Sequence, residues 1–201
     1  MGTRDRLLAR PAIYAAWQAP FAARKFAPVE RRIRHDQIRR VLDVGCGPGT
    51  NAGRFADVDY VGVDINDRYL EIARSKYPGR FVNADLATAD LSTLGSFDTV
   101  LVNSFLHHLP DAAVDRILTQ IEKLLDAQGR VHILELVAPE RLSLARIMAK
   151  LDRGKYARSL EAWQGIFNAH FVPLVVEPYM FGGGLWSMVY FQGRGRRCDS
   201  R

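Results

Sequence analysis

A doubly wound α/β domain is the fold this sequence predicts, and three observations predict it. Short apolar runs alternate with stretches of helical periodicity from residue 41 onward. Three glycines, Gly45, Gly47 and Gly49, follow directly on the first run, Val41-Leu-Asp-Val44. The second run, Tyr60-Val-Gly-Val63, ends on an acid, Asp64. Strand and helix in alternation imply right-handed crossovers and a parallel sheet covered on both faces. Ligands of such sheets bind outside the carboxyl ends of the strands, where Asp43, Asp64, Asp85 and Asn103 all fall.

The elements follow in order. Residues 41–44 form the first strand, and the glycines let the backbone turn tightly and approach a ligand without Cβ interference. After the strand at 60–63, Asn66 caps a helix over about 67–76, which Pro78-Gly79 stops. A short strand at 80–82 leads into Asn83-Ala-Asp85-Leu86. Phe97-Asp-Thr-Val-Leu-Val102 is the fourth strand, running into Asn103-Ser-Phe-Leu-His107-His108-Leu-Pro110. From Asp111, the apolar positions Val114, Ile117, Leu118, Ile121, Leu124 and Leu125 keep helical spacing, and Gly129 suits the stop. Val131 to Val137 is the next strand. Helices at about 142–150 and 159–169 surround a polar break, Asp152-Arg-Gly-Lys155, before apolar runs at 171–176 and 185–191.

The glycine spacing selects the ligand. A dinucleotide fingerprint needs Gly-x-Gly-x-x-Gly, whereas this chain has Gly45-x-Gly47-x-Gly49 with Asp43 two residues earlier, which disfavours a nicotinamide oxidoreductase. The sequence resembles the class I S-adenosylmethionine-dependent methyltransferases, whose first motif is Asp-x-Gly-x-Gly-x-Gly. The segments ending at Asp64, around Asp85-Leu86 and at Asn103 to Pro110 resemble that family's later motifs in the expected order. The resemblance implies a Rossmann-like, seven-stranded, mostly parallel sheet whose last strand is antiparallel. It implies S-adenosylmethionine as cofactor and S-adenosylhomocysteine as product. In the family the acid at Asp64 binds the ribose hydroxyls, the acid at Asp85 lies near the adenine amino group, and the glycine turn flanks the methionine part.

Carboxylates only accept hydrogen bonds, so Asp64 suits two hydroxyls and Asp85 an amino group. Asp43, where the first strand meets the turn, is expected to accept backbone N–H bonds from the loop, and Cys46 to be a small residue packed beside the cofactor. Ile65, Asn66, Leu86, Asn103 and Ser104 complete the expected cofactor set, and Tyr14 and Gln18 are expected to cap its methionine end. For the chemistry, the candidate general bases are His107, His108 and His170; packing or loop capping is the competing role for the first two. No metal is expected. The chain lacks the Asn/Asp-Pro-Pro-Tyr/Phe run of methyltransferases acting on nucleic-acid bases, so the acceptor expected is a small, largely apolar metabolite, aromatic, isoprenoid or lipid-linked. A non-catalytic cofactor-binding regulator or partner subunit is the alternative.

Composition bounds these expectations. The chain has 201 residues, 48% apolar and 25% charged, enough for one globular domain with a sizeable core. Apolar runs fall short of the roughly 18 residues of a membrane span, and two cysteines, Cys46 and Cys198, make no disulfide framework, so a cytoplasmic protein is expected. Residues 1–40 hold ten Lys or Arg against three acids, a balance of +7 within a total of +6. Residues 1–39 are therefore expected to form a basic helical segment over the cofactor mouth, with contact to an anionic membrane as the second reading and nucleic acid disfavoured. Residues 40–193 are the catalytic domain, with a helical lid insertion at about 141–170. That insertion carries Met148, Tyr156, Trp163, Phe167, His170 and Phe171, enough apolar surface to receive an acceptor, with packing in the core as the competing role of each; residues 194–201 form a basic flexible tail.

Overall fold

The computed structural model describes residues 23–138 and 156–196. Seven strands form one sheet: β1 Arg40–Val44, β2 Asp59–Asp64, β3 Arg80–Asn83, β4 Phe97–Asn103, β5 Leu125–Leu136, β6 Phe171–Phe181 and β7 Trp186–Gly195. Their order is β3-β2-β1-β4-β5-β7-β6. Strands β1 to β5 pair in parallel, and β7 runs antiparallel between β5 and β6. The order reverses between β1 and β4, which opens the crevice at their carboxyl ends.

Period-two alternation along the strands assigns each face its own core. Leu42, Val44, Val100, Val102, Val131 and Ile133 meet α3 (Asp111–Leu124) and α4 (Leu160–His170) through Ile117, Ile121, Trp163 and Phe167. On the other face Val41, Tyr60, Leu101, Leu134 and Tyr190 meet α1, helical over residues 23–30, and α2 (Asp67–Lys76), through Phe26, Val29, Leu70 and Ala73. Helix α2 starts where its sequence says, because the Asn66 side chain accepts from the Tyr69 amide. Helix α4 starts at Ser159 for the same reason, its hydroxyl accepting from the Ala162 amide at 3.2 Å.

Three expectations need correction. Helix α3 ends at Leu124, and Gly129 lies instead in an excursion of β5, where Phe97 pairs with Leu125 but Thr99 with Arg130. A Cβ at Gly129 would sit 2.9 Å from the Phe97 carbonyl, so close strand approach rather than helix capping requires the glycine. Residues 160–170 are not a lid: Trp163, Phe167, His170 and Phe171 are buried in the wound layer, and only Tyr156 of the described aromatic set is exposed. Of the basic segment, α1 is described and packs Phe26 and Val29 against the sheet; residues 1–22 lie outside the described residues. The tail begins later than expected, since β7 runs to Gly195, and Arg196 bonds the Asn168 carbonyl and Glu122. The helix expected at 142–150, Met148, and residues 197–201 lie outside the described residues.

Trp163 concentrates the α4 contribution. It is fully buried, stacks on Phe167 at 5.3 Å, donates from Nε1 to the Leu136 carbonyl at 2.8 Å and lies under the Arg158 guanidinium. Trp163→Ala is expected to destabilise the fold by about 3–5 kcal/mol, measured as a fall in the denaturant midpoint at unchanged slope.

Candidate cofactor site

The site is built outward from the turn after β1. The Gly45 and Cys46 amides both donate to the Val63 carbonyl, at 2.8 and 3.1 Å, so the turn is pinned to the end of β2. All three glycines have positive φ, 72°, 54° and 77°. A Cβ at Gly45 would lie 2.6 Å from the Phe105 ring, whereas one at Gly47 would meet nothing within 4 Å. Gly47 is thus required for its backbone conformation, and the space over it is open. Cys46 turns inward rather than toward that space: it is buried, and its Sγ would meet a Cβ placed on Gly62 at 2.8 Å. Burial, with Asp43 and Asp64 nearby, pushes its thiol well above the usual range.

Asp64 divides its carboxylate between two amides. Oδ2 accepts from Gly47 and Oδ1 from Asn66, each at 2.8 Å, and each oxygen keeps lone-pair capacity for a hydroxyl donor. Ile65 beside it is 66% exposed, a large apolar side chain that the fold itself does not cover. Asn66 spends its side chain on the cap of α2. Asp85 is exposed and accepts from the Ala87 amide at 2.9 Å. Leu86 is buried in the α3 core, so only its backbone is available to a ligand.

Asp43 departs from its expected role. Its Oδ2 accepts from the side chains of Tyr60, at 2.6 Å, and Asn51, at 3.1 Å, rather than from loop amides. Burial raises its carboxyl to about 6 against the lowering effect of those two bonds, and Asp64 adds to the rise. Oδ1 has no partner. Asn103 at the end of β4 donates from Nδ2 to Asn51 Oδ1 at 3.4 Å, and its own Oδ1 is likewise buried without a partner. Two neighbouring strand ends, in register through Asp43 and Leu101, therefore present buried acceptors that lack a donor. Sequence reasoning missed Asn51 and Tyr60, although both flank the recognised motifs.

The loop after β4 is held by a residue the sequence reading also missed. Glu135 is fully buried and accepts from the Phe105 and Leu106 amides, at 3.0 and 2.7 Å, and bonds His107 Nδ1 at 2.7 Å. Burial alone would push its carboxyl up; His107 and the Leu106 amide outweigh this and hold it below the usual range. His107 is thus committed to the loop. Ser104 sits at φ 57°, strained for a residue with a side chain, and donates from N to the Leu134 carbonyl at 2.7 Å. His108 is exposed on the same turn, its ring 4.2 Å from that of His107. His170 is not brought to the site. It precedes β6, whose first residue pairs with Gly195, two residues past the last β5–β7 pair, Val131 with Gly193, and so at the amino edge of the sheet, and it contacts Asp115 at 3.1 Å. Tyr14 and Gln18 lie outside the described residues.

Comparison with known proteins agrees with this geometry. Residues 41–129 match a family model described as a methyltransferase domain. An uncharacterized methyltransferase of Mycobacterium tuberculosis is 38% identical over 104 residues, 49% of this chain and 51% of that protein. A trans-aconitate 2-methyltransferase of Methylobacterium radiotolerans is 31% identical over 138 residues, 66% of this chain and 50% of that protein. The chain spans about half the length of these curated relatives. Among solved structures, a TehB-like SAM-dependent methyltransferase from Corynebacterium glutamicum superposes with a TM-score of 0.68 at 17% identity, covering 94% of this chain and 99% of that one. Residues 41–129 thus carry a methyltransferase domain, and the sheet around them has the fold of that solved S-adenosylmethionine-dependent methyltransferase.

Proposed function

We propose that the chain transfers a methyl group from S-adenosylmethionine to a small-molecule acceptor. The observation that carries the proposal is the pair of buried acceptors without donors, Asp43 Oδ1 and Asn103 Oδ1, beneath the open glycine turn. An unpaired buried oxygen costs about 1–3 kcal/mol, and an ammonium group is the donor that would relieve both. Asp64 supplies acceptors for a diol, exposed Ile65 an apolar surface for a flat base, and Asp85 an acceptor for an exocyclic amine. When bound, S-adenosylmethionine supplies a methyl group already activated by its sulfonium. The remaining work of the protein is to align a nucleophile, exclude water and, for a hydroxyl acceptor, take up its proton. With His107 committed to Glu135 and His170 at the opposite edge, His108 is the base we assign.

The acceptor side is the far end of the crevice. Tyr179, Phe181 and Trp186 stack in sequence, at 6.3 and 6.2 Å, where β6 and β7 pass the end of β5. This aromatic surface supports an acceptor with a ring or alkyl part. Relatives named as a trans-aconitate methyltransferase and as an O-methyltransferase support a small acceptor.

Calorimetric titration with S-adenosylmethionine and S-adenosylhomocysteine is expected to show binding, with NAD silent. Asp64→Ala is expected to weaken that binding by about 2 kcal/mol, roughly thirtyfold; unchanged affinity would remove Asp64 from the site. Asp43 gives a pH signature. Its carboxyl is raised to about 6 in the free protein, and the anion is the form that pairs with an ammonium, so affinity is expected to fall as pH drops through about 6. In the ligand-free protein the sign is opposite: stability contributed by the raised group is present below its unfolded value and lost as pH rises through about 6. Asp43→Asn is expected to flatten both profiles, read by titration and by thermal melting across pH. His108→Ala is expected to lower turnover about a hundredfold at unchanged cofactor affinity. Full turnover in that variant would end its assignment as base, and binding without turnover on any acceptor would favour a non-catalytic cofactor-binding role.

A further inference from the structure

Strands β6 and β7 outrun the sheet. Leu136, the last residue of β5, pairs with Met188, and Met188 pairs with Tyr179, so residues 180–187 project beyond the carboxyl edge. The hairpin turns through Gly182, Gly183 and Gly184 at φ 64°, 68° and 85°. Beside that turn Met180 is 61% exposed. Folding gains little from a side chain left so exposed, and it remains available for contact.

Cations adjoin it on α1. Arg24, Ala27, Pro28 and Arg31 recur at helical spacing, and with Tyr179 to Gly184 they line a groove of about 500 Å³ that contains no acid. Glu177 lies just below and is shared by two guanidiniums, Arg31 and Arg32, each at 2.6 Å, so one positive charge stays uncompensated there. Among the described residues no acid pairs with Arg24. An apolar tip beside a groove lined by arginines fits a boundary that offers hydrocarbon and phosphate together. No helix among the described residues is long and apolar enough to cross a membrane.

We propose that the Arg24–Arg31 face of α1 and the tip of the β6–β7 hairpin dock this chain on an anionic phospholipid bilayer. Met180 enters the headgroup and acyl boundary, and Arg24 and Arg31 meet lipid phosphates. The tip lies on the same edge of the sheet as Asp64 and Asn103, so docking turns the acceptor side toward the lipid. Docking does not require methyl transfer, and the two are measured separately.

The test is co-sedimentation of the full chain with phosphatidylcholine vesicles, with and without phosphatidylglycerol, at low and physiological salt. The wild-type chain is expected to partition onto the anionic vesicles only, and less at the higher salt. A surface cation is worth about fivefold in such partitioning, so Arg24→Glu, a change of two charges, is expected to weaken it roughly 25-fold. Met180→Asp is expected to weaken it by about tenfold or more. Arg80→Glu, at the amino end of β3, changes the net charge equally and is expected to bind as wild type. Melting temperatures of all variants confirm that they fold. A wild-type chain that stays in the supernatant with anionic vesicles would overturn the proposal. So would Arg24→Glu and Met180→Asp variants that sediment as wild type, or an Arg80→Glu variant that loses as much as Arg24→Glu.

Discussion

The carboxylate of Asp64 fixes the relation on which the site depends. One oxygen takes the Gly47 amide and the other the Asn66 amide, so the turn after β1 and the start of α2 are both referred to the end of β2. Asn66 then caps α2, and α2 closes over the turn through Ala73 and Tyr77, which lie 3.0 Å from a Cβ placed on Gly49. Charge-assisted bonds to amides are worth about 1.5–3 kcal/mol each. Two such bonds are enough to hold a left-handed glycine turn in one conformation before any ligand arrives. Preorganisation of this kind lowers the ordering cost of binding.

Glu135 performs the equivalent task on the other side of the crevice. Its oxygens collect the Phe105 and Leu106 amides and His107, which brings the Phe105 ring against Gly45. Arg158 closes the same loop from outside. It bonds Asp111 at 2.5 Å, the Leu109 carbonyl at 2.8 Å and the Tyr156 carbonyl at 3.0 Å, while its plane covers Trp163. Both side chains are buried, and truncating either leaves the other's polar atoms unpaired at about 1–3 kcal/mol, so Glu135 and His107 act as one unit. The loop that carries His108 is therefore a rigid shelf tied to β5 and α4.

The fold was legible where local chemistry and the core agree. Asn66 and Ser159 cap the helices they precede, and the apolar runs are strands of one mostly parallel sheet. The site was legible as far as the acids and glycines of the ordered motifs. It was not legible where a partner distant in sequence decides a role. Asp43 was read against the loop next to it, but Tyr60 and Asn51 reach its carboxylate across the sheet face. His170 had the right chemistry for a base, and only the register of β6 reveals that it stands at the wrong edge. The aromatics at 163–171 suit a lid and a core equally in sequence, because helical spacing cannot say which partner the apolar face meets; the α3 surface and β7 claim them. Gly129 resembled a helix stop, yet the excursion in β5 follows from its contact with Phe97.

Of the three buried acceptors without a partner among the described residues, Asp98 Oδ1 lies at the amino end of β4, and the other two share the carboxyl edge with the one non-glycine residue of positive φ. Asp43 is a carboxylate buried beneath the turn with one oxygen unpaired, Asn103 repeats the defect, and Ser104 adopts a conformation that disfavours side chains. Each costs on the order of 1–3 kcal/mol, a sum comparable to a large fraction of a domain's net stability. The two cores on either face of the sheet, with Trp163, Phe167, Phe26 and Tyr190 among their fully buried side chains, offset it. A site that stays strained and under-bonded in the folded protein retains its capacity to be relieved by a ligand. Ser104 and two of the three unpaired acceptors lie at the carboxyl ends of β1 and β4, where the strand order reverses, and it is strain together with paired vacancies at the switch point, rather than a single unpaired oxygen such as that of Asp98, that marks the binding crevice.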